Sequence, residues 1–248
     1  MSYFKYNNNE VYYKIYGEGQ PLLLLHGNTA SSKMFEMILP LYVNDFKVIV
    51  IDFLGHGKSK RVDVFPENMY EWEADQVIAL LEHLNLKNVS LAGTSGGAWV
   101  AINVALKRKD LVYKLIADSF DGRKFADDFF EKLQEERSNA KMDINARQFY
   151  EWCQGSDWSS IVDLDTNALF ALAKSEYLFC KPIEGLNMPL LLIGSKNDEM
   201  CRADMEEEYL ELSKLVKNTE IKMFETGNHP LILSRAEDIA SLIIEFIK

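Results

Sequence analysis

The chain has 248 residues, 48% of them hydrophobic, which suits one compact enzyme-sized domain with an insertion better than two full domains. Its formal net charge of −11 argues against a nucleic-acid partner, because such proteins carry a basic face; the clearest cationic run, Lys107-Arg108-Lys109, reads as the charged end of a helix. Cys153, Cys180 and Cys201 match neither a zinc spacing nor a disulfide framework, so no metal and reduced thiols are expected. The first residues lack an apolar signal-peptide core and no later run is long enough for a membrane span, which predicts a cytoplasmic protein.

In chain order, Tyr3–Tyr6 and Val11–Tyr16 are aromatic and β-branched runs joined by Asn7-Asn8-Asn9-Glu10, an antiparallel hairpin at a sheet edge. Pro21–Leu25, Val48–Ile51, Val89–Ala92, Leu115–Ala117, Leu190–Ile193 and Glu220–Phe224 follow as short apolar runs. Most lack strict alternation, as strands buried on both faces do. Between them lie helical segments at Tyr70–Leu84, Ala98–Leu106, Ala203–Leu215 and Ala236–Ile247. In the first, Val77, Leu80, Leu81 and Leu84 share one face. Alternating strand and helix predicts an α/β fold, a mostly parallel sheet flanked by helices on both sides.

That alternation stops between residues 120 and 184, where helical, aromatic and charged residues replace strand-like runs. The reading is a core domain of residues 1–119 and 185–248 carrying a small helical cap, residues 120–184, over the carboxyl ends of the strands, where ligands of open α/β sheets bind. Phe149, Tyr150, Trp152, Trp158, Phe170, Tyr177 and Phe179 are candidates to line a pocket beneath it, with holding the cap together the expected role of most.

The chemistry centres on Gly93-Thr94-Ser95-Gly96-Gly97, a glycine-bracketed serine between a strand and a helix. In that context GxSxG forms a tight turn that holds the hydroxyl outward. A serine needs a base, and of four histidines His229 is best placed, in Gly227-Asn228-His229-Pro230 after the last strand, with Pro230 suited to begin the terminal helix. Asp198, after Leu190–Ile193, follows in the right order to orient that imidazole; Asp118 is the reserve and Glu199 a weaker neighbour. The Gly96 amide and the Asn28 amide, after Leu22–Leu25 and His26-Gly27, are the expected oxyanion donors. His26 is expected to brace its loop rather than carry a proton.

Ser95, Asp198 and His229, together with His26-Gly27 and the DxxGxGxS-like stretch Asp52-Phe53-Leu54-Gly55-His56-Gly57-Lys58-Ser59, make the chain resemble the α/β-hydrolase family, its serine-nucleophile branch with a helical cap. The likeness covers nearly the whole chain. It implies about eight strands, a cap between the sixth and seventh, and loop-structuring roles for Asp52, His56 and Ser59. The chain departs from commoner family patterns at Thr94 and Gly96, smaller than the residues often found there and expected to widen the acyl pocket, and at Asn228, which precedes His229 where Gly is frequent.

The expected function is a cofactor-independent serine hydrolase that cleaves a small or medium carboxylic ester, thioester or lactone through an acyl-enzyme on Ser95. Carbon-carbon bond hydrolysis, elimination or perhydrolysis by the same triad is the alternative, and a non-catalytic ligand receptor a third. The partner is a small-molecule substrate; oligomeric state stays open.

Overall fold

A computed structural model describes residues 2–175 and 177–248. Its eight strands are β1 (Ser2–Tyr6), β2 (Asn9–Tyr16), β3 (Gln20–Leu25), β4 (Phe46–Ile51), β5 (Val89–Thr94), β6 (Val112–Asp118), β7 (Leu190–Ser195) and β8 (Thr219–Phe224). They form one sheet in the order β1-β2-β4-β3-β5-β6-β7-β8. The hairpin β1–β2 and the β2–β4 pairing are antiparallel, and every later pairing is parallel. The expected α/β sheet is therefore present, with the leading hairpin at its edge.

The uninterrupted apolar runs have a direct cause, for each central strand is buried on both faces. Leu23 and Leu25 of β3, Ile49 and Ile51 of β4 and Leu190 and Leu192 of β7 pack on one side. Their neighbours Leu22, Leu24, Val48, Val50, Leu191 and Ile193 pack on the other. Each such leucine or isoleucine, removed from water, contributes about 1.5–3 kcal/mol. Helices α1 (Met69–His83), α2 (Gly96–Lys107) and α6 (Met205–Leu215) cover the first side. The short α7 (Leu231–Ser234) and α8 (Ala236–Ile247) cover the second, with the segment around Phe35 and Ile38.

Between β6 and β7 the chain leaves the sheet to form α3 (Phe129–Met142), α4 (Ile144–Gln154) and α5 (Trp158–Ser175), which pack on one another. Lys107, expected as a solvated helix end, closes α2 and pairs with Glu71 and Asp75, while Arg108 pairs with Glu82 and Asp110. Pro230 precedes α7 rather than opening the terminal helix, which starts at Ala236 after Arg235 ends the short turn.

The order of strands fixes where a ligand can sit. From β3 the chain moves outward to β4, then returns so that β5 pairs with the other side of β3 and the sheet grows toward β8. The loops after β3 and β5 thus diverge at the carboxyl edge, opening a crevice at the switch point.

Candidate active site

Ser95 occupies that crevice. Strand β5 ends at Thr94 and α2 begins at Gly96, so the serine takes φ 53 and ψ −126, a left-handed conformation that a side chain adopts only under strain. The turn is tight enough that a Cβ on Gly93 would lie 2.0 Å from the Gly97 carbonyl oxygen, and one on Gly97 would lie 2.4 Å from that of Leu25. Both flanking glycines are therefore required by the close passage of helix past strand, as the GxSxG spacing predicts. The Ser95 N–H donates to the Asp118 carbonyl at 2.8 Å, tying the elbow to the end of β6.

Strands β7 and β8 deliver the other two groups. Asp198 follows β7, where its Oδ1 accepts from the Met200 and Cys201 N–H groups, each at 3.0 Å. His229 follows β8, and its Nδ1 lies 3.1 and 3.0 Å from the two Asp198 oxygens. The imidazole is 15% exposed and the carboxylate 1%. Burial opposes the charged imidazolium, yet the hydrogen bond and charge of Asp198, with Asp118 and Glu199 nearby, outweigh it and hold the His229 pKa above its ordinary value. Burial also works against the Asp198 carboxylate, but His229 and the two backbone N–H groups hold its pKa below the usual range. An ionised Asp198 accepts the Nδ1 proton, which leaves Nε2 with a free lone pair to act as base.

Ser95 and His229 line the same cavity of about 410 Å³, together with Asn28, Arg137, Phe149 and Tyr150. A smaller chamber of about 70 Å³ also opens on both residues and is walled by Tyr70, Trp99, Phe120, Phe125 and Phe129. Of the seven aromatics expected as pocket candidates, Phe149 and Tyr150 reach the larger cavity. Trp158 stacks on Tyr150 and Phe170 on Phe130, joining α5 to α4 and α3.

Asp118, the reserve acid, makes no hydrogen bond to His229 among the described residues. It accepts from the Thr94 hydroxyl at 2.6 Å and the Ile232 N–H at 3.2 Å. Glu199 accepts from the His229 N–H at 3.2 Å. His26 is buried as a brace, its Nδ1 2.9 Å from the Gly27 carbonyl and its Nε2 accepting from the Phe53 N–H at 3.3 Å. Asp52 accepts from the Ser32 and Lys58 N–H groups, each at 2.7 Å, and Ser59 Oγ accepts from that of Tyr12. Both fit the loop-structuring role. His56, by contrast, is buried with neither ring nitrogen hydrogen-bonded, packed between the Phe65 and His26 rings.

The expected widening does not occur at Gly96, whereas Thr94 lines the larger cavity. Thr94 is buried and spends its hydroxyl on Asp118. A Cβ on Gly96 would lie 2.1 Å from Asn28 Oδ1 and 3.2 Å from the Tyr70 ring, so the space that a larger residue would occupy is filled by the Asn28 side chain. That side chain is fixed at both ends, its Nδ2 donating to Asp165 Oδ2 at 2.8 Å and its Oδ1 accepting from the Tyr70 hydroxyl at 3.0 Å. No loop carbonyl accepts from the Asn28 N–H among the described residues. The Gly96 N–H, in the first turn of α2, has no partner within the helix. Asp165 and Tyr70 were not singled out in the sequence, although Asp165 left a trace. It falls on the apolar face of its helix, with Ile161, Val162, Ala168, Leu169 and Leu172.

Asp198, Cys201 and His229 bring potential metal-ligating atoms within 4.8 Å of one another, with Cys201 Sγ 3.8 Å from His229 Nδ1. The Asp198–His229 pairing accounts for two of these groups. Among the described residues no helix is long and apolar enough to cross a membrane.

A strained serine at a strand-to-helix turn, with a histidine-carboxylate pair on later strands of a mostly parallel sheet, defines an α/β-hydrolase architecture. The chain belongs to the Alpha/beta hydrolase family, whose sequence profile matches residues 22–242. It is similar to the AB hydrolase superfamily protein YisY of Bacillus subtilis (strain 168), 27% identical over 93% of this chain and 92% of that protein. In fold it is similar to an esterase from Exiguobacterium antarcticum, with a TM-score of 0.76 and 20% identity over 96% of each chain. A meta-cleavage product hydrolase from Pseudomonas fluorescens IP01 superposes with a TM-score of 0.78 and 18% identity, over 96% of this chain and 94% of that one.

Proposed function

We propose that the protein is a serine hydrolase that cleaves a small or medium carboxylic ester, thioester or lactone through an acyl-enzyme on Ser95. The observation that carries this reading is the Asp198-bound His229 imidazole facing the cavity that Ser95 lines from its strained turn. Residues 120–184 act as the cap over that cavity. Ser95 Oγ attacks the carbonyl carbon while His229 Nε2 takes its proton. Asp198 holds the Nδ1–H tautomer and stabilises the imidazolium. The Asn28 and Gly96 N–H groups donate to the oxyanion, and the tetrahedral intermediate collapses as His229 gives its proton to the leaving oxygen or sulfur. Water then enters, deprotonated by His229, attacks the acyl carbon and releases the acid with Ser95 restored.

The cavity of about 410 Å³ lies toward the small end of ordinary ligand sites, which supports a substrate of modest size. A panel of p-nitrophenyl esters of graded acyl length, run beside lactones, acyl-CoA thioesters and a carbon-carbon cleavage substrate, tests the reading. Short and medium esters are expected to be turned over, and Ser95→Ala to abolish that turnover while the fold persists. Ester hydrolysis unchanged in Ser95→Ala would remove the nucleophile assignment.

A further inference from the structure

Three buried polar side chains, one from each cap helix, converge on residues 28–30, the loop after β3. Asp165 of α5 accepts from Asn28 Nδ2 at 2.8 Å. Arg137 of α3 donates to Thr29 Oγ1 at 3.1 Å and to the Tyr150 hydroxyl at 2.9 Å, and pairs with Asp165 at 3.3 Å. Gln154 of α4 donates from Nε2 to the Thr29 and Ala30 carbonyls at 2.9 and 2.7 Å. Their exposures are 0% for Asp165, 9% for Arg137 and 3% for Gln154.

Burying such groups is unfavourable unless each finds a partner, so their convergence on three successive residues of one loop is a costly arrangement for merely attaching a lid. The loop itself needs restraint. Thr29 is β-branched yet sits at φ 57, a strained conformation that persists only when its surroundings enforce it. Asn28 lies beside Gly96, its Oδ1 where a Gly96 Cβ would be, so the Asp165 and Tyr70 hydrogen bonds fix the separation between the two amides assigned to the oxyanion.

From this geometry we infer that the cap is a clamp on the oxyanion loop: Asp165, with Gln154 and Arg137, positions the Asn28 amide, and the cap must be docked for the site to be competent. Asp165 is thus a positioning residue that acts through Asn28 without touching substrate. The inference rests on the serine-hydrolase reading. It adds that Asp165 and Gln154, neither of which lines the cavity, set the turnover rate, whereas a cap serving only as a lid would set substrate access and KM.

The test is a double-mutant cycle on the best p-nitrophenyl ester, using Asp165→Ala, Asn28→Ala and the pair. Asn28→Ala keeps the backbone amide but removes its tether. A lost oxyanion donor lowers kcat by about 10²–10³, so a loosened one is expected to lower it by about tenfold or more, with KM within about threefold. Each single variant should show this split, and the pair should be no worse than Asn28→Ala alone, because that variant already removes the side chain through which Asp165 acts. Asp165→Asn, which retains an acceptor for Asn28 Nδ2, should recover most of the loss. Additive losses, or an Asp165→Ala protein that melts lower yet keeps its kcat, would overturn the inference. Gln154→Ala, on a different helix, carries the same expectation if Asp165→Ala fails to fold. Fluorophosphonate labelling of the wild type tests the serine reading by itself. A labelled, active wild type with unaffected variants sinks only the clamp, and an unlabelled, inert one sinks both.

Discussion

Replacing Asp118 by Asn tests both the choice of triad acid and the consequence of burying a carboxyl in the sheet. Asp118 ends β6 at 1% exposure, and burial pushes its pKa from the ordinary 3.8 up to about 6 despite hydrogen bonds from Thr94 and Ile232. A native state that binds the proton more tightly than the unfolded chain loses stability as pH rises from about 4 through 6. Above that window the ionised carboxylate destabilises the fold by roughly 3 kcal/mol. In Asp118→Asn the amide oxygen can keep accepting from Thr94 and the Ile232 N–H, with its NH₂ facing Ser119 Oγ, 3.2 Å from the present Oδ1. Urea unfolding should give nearly equal stabilities for variant and wild type at pH 4, and a variant more stable by about 1–3 kcal/mol at pH 8. Ester turnover should change by less than about tenfold, whereas loss of a triad acid lowers kcat by about 10⁴. A stability gap that is the same at both pH values refutes the burial argument. A fall in kcat of about 10³ or more transfers the acid role from Asp198 to Asp118.

Because the His229 pKa lies above its ordinary 6.5, kcat/KM should fall as pH drops through a midpoint above that value, and Asp198→Asn should lower both the midpoint and the rate, the latter by about 10⁴. The two shifts bound a window: the stability contributed by the His229–Asp198 pair is present between the unfolded carboxylate and histidine pKa values, is lost as pH rises through the raised His229 value and is lost again as pH falls through the depressed Asp198 value, which urea titration of wild type against Asp198→Asn will read. Gly96→Ala must displace the Asn28 side chain from between Asp165 and Tyr70, so it should lower stability by about 1–3 kcal/mol and slow turnover rather than shift acyl-length preference; a longer-chain optimum at unchanged kcat would restore the idea of a vacant pocket there. Ser95→Gly relieves the left-handed strain at φ 53 and should raise the melting temperature relative to Ser95→Ala, with both inactive.

The sheet was legible because its chemistry is local. Leu22–Leu25 and Leu190–Ile193 are buried on both faces, and that demand writes itself as continuous apolar sequence. Ser95 and Asp198 could be picked out because each follows such a run and His229 because it follows the alternating strand β8, and parallel strands bring their following loops to one edge. What stayed hidden depends on neighbours distant in sequence. Gly96 read as empty space because the side chain that fills it, Asn28, lies across the switch point on another strand's loop. The contacts of Arg137, Gln154 and Asp165 with residues 28–30 span more than a hundred positions, and within their own helices they differ from solvated residues only by falling on a buried face. Apolar composition also places the strand ends short, as at β5 and β6, where Gly93-Thr94 and Asp118 remain in the ladder although neither end looks strand-like by composition.

The most direct measurement is rapid acid quench of the wild type with a p-nitrophenyl ester, followed by intact mass and peptide mapping. The account predicts a mass gain equal to the acyl group, located on Ser95, formed together with the burst of p-nitrophenol and absent in Ser95→Ala. An acyl group on any other residue, or turnover in Ser95→Ala at the wild-type rate, would contradict it.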